Sequence, residues 1–140
     1  MYLLDTNVIS ELRKRQRNPA VANWVRTIPG SELHLSAMTF TEIERGIERQ
    51  RTADPALAER LTEWLEFTLR AFGERILPLT VNIARRWGRL AAKIGNKELD
   101  LAIAATALEH GLTVVTGNIK HFERTGVPLL NPFHAKPPRK

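Results

Sequence analysis

The chain has 140 residues, a length typical of one compact domain that buries about two-thirds of its unfolded surface without covalent cross-links. It contains no cysteine, which excludes disulfide scaffolds, thiolate zinc sites, iron–sulfur clusters and cysteine nucleophiles. Lysine and arginine total 21 against 15 aspartates and glutamates, giving a formal net charge of +6. Such a basic surface either suits a polyanion, RNA or DNA above all, or serves solubility alone.

The apolar segments are too short to cross a membrane. The longest uninterrupted one covers residues 101–105, far below the ~20 residues of a membrane-spanning helix. Asp5 interrupts the first apolar run too early for a secretory signal. We therefore expect a soluble, cytoplasmic protein without a membrane partner.

The first half of the chain predicts two short strands and four helices. Hydrophobic spacing and the turn residues Pro19, Pro29, Gly30 and Pro55 mark their ends. In chain order they are a strand over residues 2–4, a helix over 8–15, a helix from 19 to about 28, a strand over 33–35, a helix from about 39, and a helix from 55 to 72.

The second half continues the same alternation of strands and helices. It predicts a strand at residues 76–77, a helix over 83–94, a helix over 100–110, and strands over 112–116 and 127–130. The helix over 100–110 is apolar nearly all round, which predicts a central position, and Gly111 suits its end.

The short strands lack the alternation of apolar and polar residues that is typical of a half-exposed sheet. This absence favours an α/β domain with a mostly parallel central sheet. We expect one domain over residues 1–134 and a disordered basic tail over 135–140. In such a sheet, functional groups lie beyond the carboxyl ends of the strands.

Polar side chains fall where the predicted elements join. Asp5 ends the first strand, Glu42 lies in the first turn of a helix, Asp100 opens the central helix, and Asn118 follows the fourth strand. All four meet at one edge if the first and fourth strands are neighbours. Three carboxylates and an amide oxygen suit Mg²⁺ or Mn²⁺ far better than zinc.

Each acidic residue also has an ordinary structural explanation. Thr39 and Glu42 have the spacing of a capping box, Asp100 could cap its helix, and Asp5 could accept in a turn. The three together favour a cation site, because like charges packed together repel unless a cation lies between them.

Several blocks of sequence resemble PIN-domain proteins, most closely the VapC-type toxins of bacterial toxin–antitoxin pairs. The resemblance spans nearly the whole chain, in the expected order. Its blocks are residues 2–11 (YLLDTNVISE), 35–46 (LSAMTFTEIERG), 100–107 (DLAIAATA), 114–122 (VVTGNIKHF) and 131–134 (NPFH).

The resemblance implies a PIN-like three-layer α/β/α sandwich and a Mg²⁺- or Mn²⁺-dependent endoribonuclease. The implied catalytic residues are Asp5, Glu42, Asp100 and Asn118, of which the three acids bind the metal and Asn118 stands at the fourth acidic position. Four polar neighbours of the metal site are also implied: Thr6, Asn7, Ser36 and Thr116.

The fourth block departs from the pattern that this family commonly shows. Family members often have Thr-Arg-Asn or Thr-Arg-Asp there, with an aspartate before the phenylalanine. Here Gly117 replaces the arginine, Asn118 is uncharged and His121 precedes Phe122. We therefore expect weaker metal affinity than a four-acid site has; the other three histidines are interpreted as structural.

Basic side chains near the acidic residues are candidates for RNA contacts. Arg45 and Arg49 share a helical face with Glu42, since positions 42, 45 and 49 follow helical spacing. The alternative is a solvated face paired with neighbouring glutamates. The full candidate set is Arg13, Lys14, Arg15, Arg45 and Arg49.

The expected partners follow from the resemblance alone. They are an RNA substrate, a cognate antitoxin, a second copy in a homodimer, and operator DNA bound only through the antitoxin. The main alternative is a weakly active or inactive binding module that works in an antitoxin complex on operator DNA. A DNA-cutting enzyme is a third hypothesis.

Overall fold

A computed structural model describes residues 1–95 and 98–134. The predicted basic tail over residues 135–140 lies outside the described residues. The strands are β1 (Tyr2–Leu4), β2 (Leu33–Ser36), β3 (Ile76–Leu77), β4 (Thr113–Val115) and β5 (Leu129–Leu130). The helices are α1 (Thr6–Arg13), α2 (Pro19–Thr27), α3 (Thr39–Ala53), α4 (Pro55–Phe72), α5 (Val81–Ile94), α6 (Leu99–His110) and α7 (Ile119–Phe122).

The five strands form one sheet in the order β3-β2-β1-β4-β5, and every neighbouring pair is parallel. The central strand is β1, in which Tyr2 is in register with Leu33 on one side and Thr113 on the other. β1 and β4 are therefore neighbours. This brings the residues that follow them to the same edge of the sheet.

Helices cover both faces of the sheet. Successive side chains of a strand point to opposite faces, so they pack against different helices. Leu3 packs in a core cluster with Ile103 and Ala104 of α6, whereas Leu4 packs with Val8 of α1 and Val21 of α2. Residues 101–107 of α6 are all buried. The fold is thus the predicted three-layer α/β/α sandwich, with α6 as its central helix.

Several element boundaries differ from the sequence prediction. α1 begins at Thr6 rather than residue 8, because the Asp5 carboxylate caps it by accepting the Thr6 N–H. It ends at Arg13 instead of residue 15. β4 and β5 are each shorter than predicted; β5 begins only after Pro128, which has no N–H to donate to a neighbouring strand.

Within residues 1–95 and 98–134, no helix is both long enough and apolar enough to cross a bilayer.

Candidate active site

Three carboxylates from distant parts of the sequence meet at the carboxyl edge of the sheet. Asp5 follows β1, Glu42 lies in the first turn of α3, and Asp100 lies in the first turn of α6. One oxygen from each of them lies within 4.8 Å of the other two. The structure therefore brings together the three acidic residues selected from the sequence, hereafter the acidic cluster.

Asp5 is the most buried member, with 4% of its surface exposed. Its Oδ1 accepts the Thr6 N–H at 2.8 Å, and its Oδ2 accepts the Thr116 hydroxyl at 2.8 Å. Burial raises the pKa of Asp5 to about 6; both hydrogen bonds oppose this rise, and the nearby carboxylates of Asp100 and Glu42 add to it. The protein environment by itself therefore disfavours the negative charge on Asp5 that a cation would stabilise.

Glu42 is tied to α1 across 36 positions of sequence. Its Oε1 accepts the Thr6 hydroxyl at 3.0 Å. Burial raises the pKa of Glu42, as does Asp100 to a smaller degree, while the Thr6 hydrogen bond and Arg45 lower it. Thr6 thus contacts two members of the acidic cluster, Asp5 through its N–H and Glu42 through its hydroxyl.

The capping box expected at Thr39 and Glu42 does not form. Met38 is the N-cap of α3 and supplies no side-chain capping bond, and the buried Thr39 hydroxyl has no partner in the described structure. Glu42 is held by Thr6 instead. The Ser36 hydroxyl accepts the Met38 N–H at 3.1 Å, so this residue shapes the turn that leads from β2 into α3.

Asp100 is not the N-cap that the sequence suggested. α6 begins at Leu99 after Glu98, which places Asp100 inside the first turn, where a carboxylate is stabilised by the positive end of the helix dipole. Its Oδ2 lies 3.0 Å from Nδ1 of His121. The sequence shows only that His121 stands where family members often have an aspartate; the contact itself, which joins α6 to α7, is not predicted.

The turn after β4 also holds the Asp5 carboxylate in place. The Thr116 hydroxyl, which donates to Asp5, accepts the Asn118 N–H at 2.9 Å and Asn7 Nδ2 at 3.4 Å. Asn7 Oδ1 in turn accepts the Gly117 N–H at 3.4 Å. Asn118 is exposed and adjoins this network through its backbone, so a catalytic role for its side chain stays a prediction.

Gly117 lies against the ring of Phe133. A Cβ at position 117 would lie 2.9 Å from Cδ2 of Phe133 and 3.5 Å from Nδ2 of Asn7. A side chain here would have to displace the ring. At the position where the family pattern has an arginine, this chain has a glycine, and the Phe133 ring packs close to where a side chain would begin.

The predicted RNA-contact residues occupy different environments. The Arg13 guanidinium lies 5.9 Å from the ring centroid of Trp64, and Lys14 pairs with Glu11 at 3.0 Å. Arg45 is close enough to Glu42 to lower its pKa. All five of these residues are exposed.

The donor chemistry of the acidic cluster fits a hard divalent cation. All three donors are carboxylate oxygens, which Mg²⁺ and Mn²⁺ accept, and burial makes the bare charges of Asp5 and Glu42 unfavourable. The fold and the acidic cluster together define an α/β protein whose carboxylates are suited to such a cation.

Residues 2–128 match the PIN domain family. The chain belongs to this family. It is 36% identical over 141 residues to toxin FitB of Neisseria gonorrhoeae, covering 96% of this chain and 99% of the relative. It is 37% identical over 141 residues to the VapC ribonuclease Y4jK of Sinorhizobium fredii, covering 95% and 98%.

Solved structures share the same fold over almost their whole length. The crystal structure of FitAcB from Neisseria gonorrhoeae aligns with a TM-score of 0.84 and 35% identity, over 96% of this chain and all of the other. A structure of FitAB bound to an IR36 DNA fragment aligns with a TM-score of 0.77 and 33% identity, over 97% and 98% of the two chains.

Proposed function

We propose that this protein is a metal-dependent endoribonuclease that acts as the toxin of a toxin–antitoxin pair. The observation that carries the proposal is the convergence of Asp5, Glu42 and Asp100 at the carboxyl edge of a PIN-domain sheet. Relatives that align over nearly the whole chain are a toxin and a VapC ribonuclease, which supports the same activity here.

The acidic cluster would hold Mg²⁺ or Mn²⁺. When bound, the cation supplies Lewis-acid stabilisation of charge on a phosphodiester and lowers the pKa of water. Asp5 is positioned for this task by Thr116 and by the Thr6 N–H, and Glu42 by the Thr6 hydroxyl. These hydrogen bonds favour the ionised carboxylates that a cation requires.

The neighbours of the acidic cluster would order its ligands without binding the cation themselves. Asn7 donates to the Thr116 hydroxyl, which in turn donates to Asp5, and Ser36 shapes the turn before α3, the helix that carries Glu42. Asn118, at the position of a fourth acid, would contribute an uncharged oxygen facing the substrate.

RNA is the proposed substrate, and exposed cations on α1 and α3 would contact its phosphates. Arg45 lies near Glu42 and Arg49 follows it one turn later on α3. Arg13, Lys14 and Arg15 lie at the end of α1, the helix that Asp5 caps. The net charge of +6 favours binding to this polyanion.

The proposed partners are a cognate antitoxin and a second copy of this chain, with operator DNA bound only through the antitoxin. The structure of FitAB bound to an IR36 DNA fragment supports, by similarity, only the DNA-bound part of this proposal. Residues 1–134 would form the single catalytic domain, acting on RNA in the cytoplasm.

Cleavage of RNA by purified protein tests the proposed activity. Single-stranded RNA and DNA of the same sequence are incubated with the wild-type chain, Asp5→Asn, or the exposed-carboxylate control Glu59→Gln, in Mg²⁺, Mn²⁺ or EDTA. We expect cleavage of RNA alone by the wild type and by Glu59→Gln, lost in Asp5→Asn and in EDTA. Equal activity of Asp5→Asn, or cleavage that survives EDTA, would overturn the proposal.

The chemistry of the product ends tests which nucleophile attacks. Attack by water with the 3′-oxygen as leaving group leaves a 5′-phosphate and a 3′-hydroxyl, which we expect from a site built of cation-binding carboxylates. A 2′,3′-cyclic phosphate, identified by mass spectrometry, would show that the ribose hydroxyl attacks instead.

A further inference from the structure

The net positive charge of the protein is concentrated on α5. This helix of 14 residues has four cations and no aspartate or glutamate, so it carries +4 of the formal net charge of +6. By contrast, α3 has three acidic and three basic side chains and is neutral. The cations of α5 are Arg85, Arg86, Arg89 and Lys93.

Three of these cations form a row along the exposed surface of α5. Arg85, Arg89 and Lys93 recur at every fourth residue and are all exposed, which places neighbours about 6 Å apart along the helix axis. Among the described residues, none of the three forms an ion pair, whereas Arg86 pairs with Glu109 at 3.0 Å. Like charges at this spacing repel each other. The three residues, hereafter the basic stripe, are therefore a row of uncompensated positive charge.

The basic stripe runs toward the edge of the molecule that holds the acidic cluster. α5 and α6 are antiparallel neighbours: Arg86, near the start of α5, pairs with Glu109, near the end of α6. The connection between the two helices is only four residues long, so the end of α5 lies near the start of α6. Lys93 lies in the last turn of α5 and Asp100 in the first turn of α6. The stripe thus has Lys93 at the end nearer the acidic cluster and Arg85 at the far end.

Resting on the proposed function, we propose that the basic stripe binds phosphates of the RNA strand where it extends away from the acidic cluster along α5. The strand passes Lys93 first and reaches Arg85 about 12 Å further along the helix. The step between neighbouring cations is comparable to the separation of successive phosphates along an extended single strand, so each cation serves one phosphate. Together with the candidate cations of α1 and α3, the stripe holds the substrate on more than one side of the acidic cluster.

An acidic segment of a protein partner is the competing occupant of the stripe. RNA fits better for two reasons. A phosphate backbone repeats its charge at every residue, which matches a row of evenly spaced cations, and the row ends near the carboxylates proposed to act on that backbone. An acidic protein segment needs neither the regular spacing nor the approach to the acidic cluster.

The salt dependence of RNA binding tests the proposal. The full-length stripe variant carries Arg85→Gln, Arg89→Gln and Lys93→Gln. The control variant carries Arg26→Gln, Arg60→Gln and Arg70→Gln, which remove the same charge from exposed positions on α2 and α4. Binding of a single-stranded RNA of about 20 nucleotides is followed by fluorescence anisotropy in EDTA over a range of KCl concentrations.

The expected result is a loss of about three phosphate contacts in the stripe variant alone. At about 0.7 per contact with a single strand, the slope of log K against log salt should fall by about 2. The control variant should lose less than about 0.7. An unchanged slope in the stripe variant, or an equal fall in both variants, would overturn the proposal. Circular dichroism verifies folding, and Arg89→Gln alone replaces a triple variant that does not fold.

Cleavage kinetics and a competitor provide readouts that a purely structural role would not give. The stripe variant should raise KM for the RNA roughly tenfold and leave kcat within about twofold, because the stripe contacts phosphates remote from the bond that breaks. A fall in kcat with unchanged KM would contradict the proposal. Poly-glutamate that displaces RNA from the wild type, and binds through the stripe as tightly as RNA, would assign the stripe to an acidic protein segment instead.

The outcomes also separate this inference from the proposed function. RNA cleavage with a salt slope that ignores the stripe overturns the inference alone. Stripe-dependent RNA binding by a chain that leaves RNA intact supports the inference and overturns the nuclease proposal. No RNA binding by the wild type overturns both.

Discussion

Replacing Asp5 with asparagine should stabilise the fold while it removes RNA cleavage. The wild-type protein buries the Asp5 carboxylate next to two others, and this burial raises its pKa from 3.8 to about 6. Folding therefore disfavours the ionised side chain at neutral pH. Asparagine carries no charge, and its Oδ1 can still accept the Thr6 N–H.

The shift in pKa gives the size of the effect. A rise of roughly two units corresponds to about 3 kcal/mol of unfolding free energy at about 1.4 kcal/mol per unit. The asparagine loses a charged acceptor for the Thr116 hydroxyl, which offsets about 1–2 kcal/mol. We expect Asp5→Asn to be more stable than the wild type by about 1–2 kcal/mol at pH 7.

The sign of the pH dependence follows from the direction of the shift. Because the folded-state pKa of Asp5 is raised, the penalty is present in full above about pH 6 and is absent below about pH 4, where both states are protonated. The advantage of Asp5→Asn should therefore shrink steadily from pH 7 to pH 4.

Urea unfolding followed by circular dichroism, in EDTA, measures this difference. Glu59→Gln controls for the loss of an exposed negative charge and should change stability by less than about 0.5 kcal/mol. If Asp5→Asn is less stable than the wild type at pH 7, or if its advantage is independent of pH, the burial argument is wrong.

Three further changes test other parts of the structure. Arg13→Gln with Arg15→Gln should reduce the salt slope of RNA binding by about 1.4, as expected for two lost phosphate contacts; an unchanged slope in filter binding would exclude both side chains. Gly117→Ala should lower the free energy of unfolding by about 1–3 kcal/mol because its Cβ meets the Phe133 ring. In a Phe133→Leu background the same Gly117→Ala change should no longer carry this cost, and strictly additive changes in unfolding free energy would refute the contact. Arg75→Met should cost about 1–3 kcal/mol in urea unfolding, since its guanidinium donates to three backbone carbonyls; a neutral result would show that these bonds contribute nothing net.

The parts of the fold that the sequence predicts well have strong local signals. Residues 101–107 are apolar on every side, which predicts a buried central helix, and Gly111 ends that helix in the left-handed conformation, with φ of 67°. The approximate place of β1 also follows from its apolar run before Asp5. A parallel sheet then predicts where the polar side chains that follow its strands will meet.

The details that escape sequence reasoning depend on contacts between distant residues. The spacing of Thr39 and Glu42 is typical of a capping box, yet Glu42 bonds Thr6, which is 36 positions away and out of reach of any local pattern. The position of Phe133 over Gly117 likewise depends on how the last described turn packs against α2 and the end of β4.

The contact between His121 and Asp100 shows the same limit within the site. The residues are 21 positions apart, and only the packing of α7 against α6 sets the distance between their side chains. The sequence shows that a histidine replaces an expected aspartate, but not that its nitrogen reaches a carboxylate of the acidic cluster.

Crystals of the free protein grown with Mn²⁺ test directly whether three separated acids form one cation site. An anomalous difference map should show a manganese peak within about 2.5 Å of oxygens from Asp5, Glu42 and Asp100. A map with no peak at the acidic cluster, at a Mn²⁺ concentration that supports RNA cleavage, would contradict the proposed site.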